Sequence, residues 1–297
     1  MISTDPYKGV RDFYPEDMRV QNYIFSVWRK VVEQFKYEEY SASLLEYADL
    51  YRSKGNDEII NEQTYSFADR GGREVTLRPE MTPTLARLVA ARRKSLKFPL
   101  RWYSIPNVFR YERPQRGRRR EHWQLNCDLV GLGDLVSIGL RQGVDVSSIR
   151  DDLVAEVEII SLAHKIMRAF GAKDEDFEIK VNVRPKLDTA TLSRWDKQGV
   201  PDADKISCPP QVAEFLKRLN LPNAKFDANI VRGFDYYTGM VFEVFDTSPE
   251  NRRSLFGGGR YDNLLEIFGV EPVPCVGFGM GDITMRDFLE THKLPLS

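Results

Sequence analysis

Helical and strand-like hydrophobic patterns follow one another in this sequence without regular alternation, and this constrains the fold more than any other feature. After Pro15, apolar residues recur at helical spacing over three turns. Alternating apolar residues predict strands at 177–183 and 241–246. A doubly wound parallel sheet would instead repeat a strand–helix–strand unit. The order therefore predicts an α+β fold, with a mainly antiparallel sheet and helices around it.

Further helices and strands are predicted around two unusual segments, 110–120 and 232–239, which are described below. Helices are expected at 84–93 and 154–170, and strands at 101–110 and 124–130. The two strands would form a hairpin with a long connection. The glycine run 257–259 is expected to precede a short helix.

The connection between those strands is rich in arginine. Residues 110–120 contain six arginines, interleaved with Tyr111, Pro114 and Gly117. A solvated basic face is one explanation, but the interleaving favours a shaped loop. Its local positive field suits phosphates, from either a nucleotide or a nucleic acid.

The second unusual segment, 232–239, places Arg232, an acid and two adjacent tyrosines between two glycines. Glycines allow a sharp turn and a close approach to a bound group. A fixed cation and two phenol hydroxyls suit an anionic small molecule that forms hydrogen bonds. The alternative is a turn at a strand edge whose tyrosines pack in the core.

Composition excludes several other classes of protein. With 43 basic and 44 acidic residues, the 297-residue chain is not a polycation. No apolar run approaches the roughly 20 residues of a membrane helix, and no signal peptide is expected at the N-terminus. Cys127, Cys208 and Cys275 lie far apart, and there are three histidines, which disfavours a disulfide scaffold or a zinc site. Reduced thiols fit a cytoplasmic protein.

Three motifs resemble those of one family. They are the segment 76–82, the arginine-rich stretch 109–128, and the segment 232–239 together with 258–262. Because the motifs occur in the order found in that family, the chain resembles the catalytic domain of histidyl-tRNA synthetase, a class II aminoacyl-tRNA synthetase. The similarity extends from residues 8–12 to 277–281, and it implies a class II antiparallel sheet flanked by helices.

The resemblance also implies a domain organisation. The catalytic core would comprise residues 1–185 and 226–297, with a reduced insertion at 186–225. Residues 133–152 would be an extra segment within the core, of which 135–151 have no recognised counterpart. An anticodon-binding domain is expected to be absent.

The implied reaction is activation of L-histidine by ATP with Mg²⁺, followed by transfer of histidine to tRNA(His), in a homodimer. Without an anticodon-binding domain, the transfer is expected to be weak. A carboxylate that is already ionised attacks the α-phosphate, so fixed cations matter more than a general base. By the resemblance, Arg110 would hold the α-phosphate, and Arg118 and Arg120 the β- and γ-phosphates. His122 would lie at the adenine, and Arg232 would be the catalytic arginine.

The histidine pocket follows from the same motifs. Glu80 and Tyr237 would contact the two ring nitrogens, which gives much stronger discrimination than shape alone. The remaining residues implied for this pocket are Thr82, Gln124 and Asp128 at the α-amino group, Tyr261 in the wall, and Arg232 at the carboxylate. Structural alternatives remain for single residues, since Glu80 could cap the helix at 84 and the tyrosines could be core.

The sequence departs from the family pattern at three positions. Thr284 occupies the position of an expected arginine, and Arg286 lies roughly 200° further round a helix. His122 replaces a phenylalanine, and Ser43 replaces a proline of the dimer interface.

Two other functions remain open. The first is a non-catalytic paralogue that senses histidine as a regulatory subunit of ATP phosphoribosyltransferase. The second is a nucleic-acid-binding module built on residues 110–120, whose binding would weaken steeply with salt.

Overall fold

The computed structural model describes residues 2–52, 62–131, 153–251 and 253–297. A large, mostly antiparallel sheet is flanked by helices, which confirms the predicted α+β class. The extra segment expected at 133–152 lies outside the described residues. Within the described ranges, no helix combines the length and the apolar character needed to cross a membrane.

The described helices are α1 (Pro15–Gln34), α2 (Asp49–Arg52), α3 (Thr82–Arg92), α4 (Val154–Ala169), α5 (Thr189–Gln198), α6 (Pro210–Leu219) and α7 (Asp282–Thr291). Two 3-10 turns lie at Ala203–Lys205 and Leu264–Phe268. Helix α1 begins with a proline in its first turn, followed by Glu16 and Asp17, which favour a helix N-terminus. The helices predicted at 84–93 and 154–170 agree with α3 and α4 to within two residues at each end.

The strands are β1 (Glu38–Glu39), β2 (Leu45–Tyr47), β3 (Tyr65–Ala68), β4 (Glu74–Leu77), β5 (Leu100–Ser104), β6 (Asn107–Phe109), β7 (Glu121–Val130), β8 (Phe177–Val183), β9 (Ala224–Phe226), β10 (Met240–Asp246), β11 (Ser254–Arg260) and β12 (Cys275–Gly281). The nine-stranded sheet has the order β1-β5-β7-β12-β11-β10-β8-β9, with β6 also paired to β7. Its outermost pairs, β1 with β5 and β8 with β9, are parallel, and the others are antiparallel. Strands β2, β4 and β3 form a separate sheet.

The large sheet separates two hydrophobic clusters, because alternate side chains of a strand point to opposite faces. Phe242 and Val244 of β10 belong to the larger cluster, with Trp28 of α1. Val241 belongs to the smaller cluster, with Leu85 of α3. The polar residues of the candidate site share the face of this smaller cluster.

Two predicted elements differ from those observed. The strand expected at 101–110 is divided into β5 and β6, because Pro106 has no N–H for the ladder. The glycine run 257–259, expected before a helix, lies inside β11. A short 3-10 turn does follow, at Leu264–Phe268.

The expected insertion, 186–225, contributes directly to the main structure. Phe215 of α6 is fully buried in the larger cluster, and β9 pairs with β8. Helix α5 packs through Leu192 against Val231 in a small separate cluster. The division into core and insertion therefore stays a prediction.

Candidate active site

Two connected cavities lie on the polar face of the sheet. The outer cleft has a volume of about 620 Å³, and the inner cavity about 40 Å³. The residues that line both are Arg110, Gln124, Arg232, Phe234, Gly257 and Gly279. Two guanidinium groups therefore stand where the inner cavity opens into the outer cleft.

The floor of these cavities consists of glycines in register on β11 and β12. Gly257 pairs with Gly279, and Gly259 pairs with Gly277. A β-carbon at Gly257 would lie 2.5 Å from the carbonyl oxygen of Phe242, and one at Gly277 would lie 2.1 Å from Oδ1 of Asp128. These contacts are shorter than real β-carbons make, so glycine leaves the space in which the polar side chains lie.

Glu80 forms one polar wall of the inner cavity. Its Oε2 accepts a hydrogen bond of 3.0 Å from the Tyr236 hydroxyl, and the residue is 4% exposed. Burial raises the pKa of the Glu80 carboxyl to about 7, although the charge of Arg110 and the Tyr236 hydrogen bond act in the opposite direction. Glu80 is therefore a hydrogen-bonding group inside the cavity and not the exposed cap of a helix.

Asp128 forms the other acidic wall. It accepts a hydrogen bond from the hydroxyl of Tyr261, and both residues are buried. Burial raises the pKa of the Asp128 carboxyl to about 7, and the hydrogen bond from Tyr261 opposes this shift. A cationic ligand group would favour the ionised form, so Asp128 is suited to an ammonium group.

Arg232 has an unusual backbone and an acidic partner. Its φ of 58° lies in the left-handed region, which few residues other than glycine adopt. Burial lowers the pKa of the Arg232 guanidinium, but Glu243 and Tyr237 raise it by more, so the pKa lies above its ordinary value. The guanidinium forms an ion pair with Glu243 and lies 5.7 Å from the ring centroid of Tyr237. It is a fixed cation at the junction of the cavities.

Arg110 and Gln124 complete the junction. Arg110 donates from Nε to the carbonyl oxygen of Pro79 at 2.9 Å, which anchors the head group close to Glu80. Thr82 begins α3 and lines the inner cavity. Gln124 lies on β7, two residues from Asn126 and four from Asp128, so the three share one face of the sheet.

The arginine-rich loop covers one side of the outer cleft. Arg118 and Arg119 line this cleft, and the side chain of Arg118 is 63% exposed. Arg120 lies elsewhere, in contrast to the expectation that it would reach a nucleotide. It donates to the hydroxyl of Tyr7 and to the carbonyl oxygen of Glu112, and its head group stacks on Tyr111. Arg120 supports the loop from behind.

His122 and Thr284 lie in the wall of the outer cleft. Desolvation, with the charges of Arg110 and Arg11, lowers the pKa of His122 to about 3, so its ring is neutral near pH 7. The Thr284 hydroxyl donates to the carbonyl oxygen of Leu255 at 2.7 Å. Arg286 pairs with Asp17 and Glu290, away from the cleft lining.

Several residues that line the cavities were not predicted from the sequence. They include Asn126 and Tyr236 in the inner cavity, Asp196 and Glu243 in the outer cleft, and Phe234, which lines both. Tyr236 was visible as the neighbour of Tyr237, but its direction could not be chosen without the backbone. Glu243 carried a signal of its own, as a charge with apolar residues on both sides of it inside the predicted strand 241–246.

The described residues contain no group of three or more histidine, cysteine, aspartate or glutamate side chains arranged to hold a metal ion. The prominent charges of the outer cleft are instead guanidinium groups. This arrangement is suited to binding an anion with several negative oxygens next to a small cavity with two acidic walls.

Comparison with known proteins identifies the family of the chain. The family model for histidyl-tRNA synthetase matches residues 9–203 and 204–282. The chain belongs to the histidyl-tRNA synthetase family. It is 42% identical to a histidine–tRNA ligase of Leptospira biflexa, over 99% of this chain and 76% of the relative. It is also 33% identical to the chloroplastic/mitochondrial histidine–tRNA ligase of Arabidopsis thaliana, over 99% of this chain and 67% of the relative.

Solved structures support the same fold. The apo histidyl-tRNA synthetase of Staphylococcus aureus superposes with a TM-score of 0.72 and 25% identity, over 99% of this chain and 72% of that one. A Bacillus halodurans protein, described as an ATP phosphoribosyltransferase regulatory subunit/histidyl-tRNA synthetase, gives a TM-score of 0.75 at 21% identity, over 98% of this chain and 83% of that one. These comparisons confirm the resemblance and the class II fold.

Proposed function

We propose that this chain activates L-histidine with ATP to form histidyl-adenylate and transfers the histidyl group to tRNA(His). One observation carries the proposal: a small cavity with two buried acids opens, past Arg110 and Arg232, into a cleft lined with arginines. An amino acid and a polyphosphate would meet at these two cations. Membership of the synthetase family supports the same reaction.

In this proposal the inner cavity binds histidine. Glu80 and Tyr237 contact the imidazole nitrogens, and Tyr236 positions the Glu80 carboxylate through its hydrogen bond. Asp128, oriented by Tyr261, supplies the negative charge for the α-ammonium group. Thr82 and Gln124 lie beside that group in the cavity lining. An analogue without the ring nitrogens would leave these buried groups unpaired, which is the strongest form of discrimination.

The outer cleft binds ATP. Arg110 contacts the α-phosphate, and Arg118 and Arg119 face the more distal phosphates along the cleft wall. His122 is neutral, so it can stack on the adenine without adding charge. Arg120 keeps the loop in place from its position behind the cleft.

The reaction needs positioning more than proton transfer. A carboxylate oxygen of histidine attacks the α-phosphorus, and the bond between that phosphorus and the bridging oxygen to the β-phosphate breaks. Pyrophosphate leaves with the bonding electrons. Arg232, held by Glu243, stabilises the charge that is shared between carboxylate and phosphate as they meet.

Mg²⁺ is expected to arrive with ATP. Three carboxylates line the cleft, those of Glu112, Asp196 and Glu243, and two of them, Glu112 and Glu243, pair with an arginine. Phosphate oxygens and water would therefore supply most of the ligands, as is usual for this ion.

A homodimer in the cytoplasm remains part of the proposal. The small sheet presents Leu45, Tyr47 and Phe67 to solvent at 42%, 58% and 49% exposure. Tyr47 and Phe67 both pair with Val75, so they lie on one face. An apolar sheet face of this kind is suited to a second copy of the chain.

The test is histidine-dependent exchange between ATP and pyrophosphate. We expect exchange in the wild type and a loss of about 10²- to 10³-fold in rate for Arg232→Ala. Arg232→Lys should recover little, since one ammonium group cannot bridge carboxylate and phosphate as a guanidinium does. Arg194→Ala, on the exposed surface of α5, is the matched control and should leave the rate unchanged.

The second candidate is a histidine-sensing regulatory subunit of ATP phosphoribosyltransferase. The name of the Bacillus halodurans protein and the uncharged Thr284 in the cleft wall favour it. The same experiment separates the two functions. Histidine binding measured by calorimetry, without exchange at any ATP concentration, would support the sensor and contradict the synthetase.

A further inference from the structure

The outer end of the cleft lies where β11 begins beside the arginine-rich loop and α7. Gly117 and Thr284 line the cleft here. A β-carbon on Gly117 would lie 3.8 Å from Cγ2 of Thr284 and 3.9 Å from Nη1 of Arg253. The Arg253 guanidinium and the Thr284 methyl group therefore flank the same point of the cleft wall, although they come from different elements.

The arginines near this point differ in how they are neutralised. Arg116 pairs with Asp287 of α7 at 2.9 Å, and Arg118 lies 3.5 Å from Glu112. Arg253 donates to the carbonyl oxygen of Arg116. Among the residues that the structure describes, it has no carboxylate partner, so its full charge remains available.

Helix α7 provides no such charge to the cleft. Thr284 is neutral, and its hydroxyl donates to the Leu255 carbonyl oxygen at 2.7 Å. Arg286 is held by Asp17 and by Glu290, the latter at 2.8 Å. A cation for the outer end must therefore come from another element.

The geometry points to Arg253 as a binding residue for the terminal phosphates of ATP, a role that rests on the proposed function. Arg110 and Arg232 meet the α-phosphate at the inner end, so the distal phosphates extend outward, towards Gly117 and Thr284. One Arg253 N–H is committed to the loop carbonyl, and a guanidinium has five. The others can fork onto phosphate oxygens. Arg253 would then couple nucleotide binding to the loop that it also supports.

The experiment compares two nucleotides in calorimetry with Mg²⁺ present. Arg253→Gln should weaken ATP binding by about 10- to 100-fold, the usual loss for hydrogen bonds to a charged group. AMP has no distal phosphates, so its affinity should change less than about twofold. Arg253→Lys should be intermediate for ATP, and Arg194→Gln should match the wild type with both nucleotides.

A second variant tests the location. Thr284→Arg places a guanidinium on α7 beside the same point, so it should restore most of the ATP affinity lost in Arg253→Gln. Thermal unfolding of each variant checks that the fold is intact. Equal losses for ATP and AMP would overturn the inference, since they would show that Arg253 only supports the loop. Unchanged binding of both nucleotides would also overturn it.

These outcomes are separate from those that test the proposed function. A wild type without exchange, but with ATP binding that depends on Arg253 while AMP binding does not, would remove the synthetase function and keep this inference. Normal histidine-dependent exchange with an unchanged KM for ATP in Arg253→Gln would keep the function and remove the inference.

Discussion

The inner cavity and the outer cleft share a glycine floor but differ in how their charges are held. In the inner cavity, Glu80 and Asp128 are 4% and 3% exposed, and each accepts a hydrogen bond from a buried tyrosine. In the outer cleft, the Arg118 side chain is 63% exposed, and its carboxylate partner lies at 3.5 Å. One region holds its acidic groups away from water, and the other exposes its arginine side chain to water.

The difference has an energetic consequence. A buried polar group left without its partner costs about 1–3 kcal/mol, and a buried charge costs more. An exposed ion pair contributes about 0–1 kcal/mol. Substitutions in the inner cavity should therefore have large and specific effects on the amino acid, whereas the outer cleft should depend on the sum of several small contributions.

The largest effect is expected for Asp128→Asn. The amide keeps the size of the side chain and can accept from Tyr261, but it removes the negative charge facing the α-ammonium group of histidine. Loss of one partner from a buried charge pair corresponds to about 2–5 kcal/mol, so histidine should bind at least about 30-fold more weakly. Calorimetry with histidine measures this.

ATP binding by Asp128→Asn should be unchanged, because Asp128 lines the inner cavity and not the outer cleft. Asp204→Asn, at an exposed position, is the matched control. A parallel loss of ATP and histidine affinity would break the distinction between the two regions.

The glycine floor offers a second test within one strand. Gly277→Ala would place a β-carbon 2.1 Å from Oδ1 of Asp128 and 2.7 Å from the carbonyl oxygen of Cys127. For Gly279→Ala, the three atoms nearest the new β-carbon all belong to the Gln124 side chain, the first at 2.8 Å. Overpacking against a fixed group costs about 1–3 kcal/mol, so Gly277→Ala should lower the free energy of unfolding by that amount.

Gly279→Ala should cost less than about 1 kcal/mol, since the end of Gln124 can move. Urea-induced unfolding of both variants measures the difference, and histidine affinity should fall further in Gly277→Ala. Equal costs at the two positions would mean that Asp128 is not held rigidly.

The raised pKa values make a third prediction, for the empty protein. The pKa of the Asp128 carboxyl is about 7 in the folded state, against an ordinary value of 3.8. The folded state then holds this proton more tightly than the unfolded state. The stability that protonated Asp128 contributes to the fold is therefore fully present below pH 3.8. Stability is lost as the pH rises towards and through 7.

Asp128→Asn has no carboxyl to ionise at this position, so it does not lose stability in this way. Between pH 5 and 8, the Tm of the wild type should therefore fall relative to that of Asp128→Asn by about 2–4 °C. Glu80→Gln should show the same direction, because the pKa of Glu80 is also about 7. Thermal unfolding without ligands measures both. A Tm difference that stays constant between pH 5 and 8 would contradict the raised pKa values of the two buried carboxyls.

The inner cavity is the part that the sequence predicts well. Glu80, Asp128 and Tyr261 come together from segments far apart in the chain. Their order matched three family motifs, and each of the three residues lies on or next to a regular element: Asp128 on β7, Tyr261 directly after β11, and Glu80 two residues before α3. Helices α1, α3 and α4 were also predicted, and in α1 the apolar residues recur at helical spacing over three turns.

The outer cleft was less predictable, because its loop direction depends on tertiary contacts. Arg118 and Arg120 are alike in sequence and two residues apart, yet Arg120 turns back onto Tyr7 and Tyr111. Arg253 lies far from the loop in sequence and meets it only through the fold. The glycine run 257–259 had the composition of a loop, but it lies in a strand, where a β-carbon at each position would lie within 2.6 Å of a backbone oxygen of a neighbouring strand.

The smallest effect is expected for Arg118→Gln. The side chain is exposed and its ion pair with Glu112 is long, so the folded protein should lose less than about 1 kcal/mol of stability. The KM for ATP should rise about three- to tenfold at low salt, and the ratio to wild type should approach one as salt screens the exposed charge. Pyrophosphate exchange at two ionic strengths measures this, with Arg194→Gln as the control.

A loss that persists at high salt would place Arg118 in desolvated contact with the nucleotide. The outer cleft would then hold its ligand by fixed charges, as the inner cavity does, and the contrast between the two regions would have to be given up.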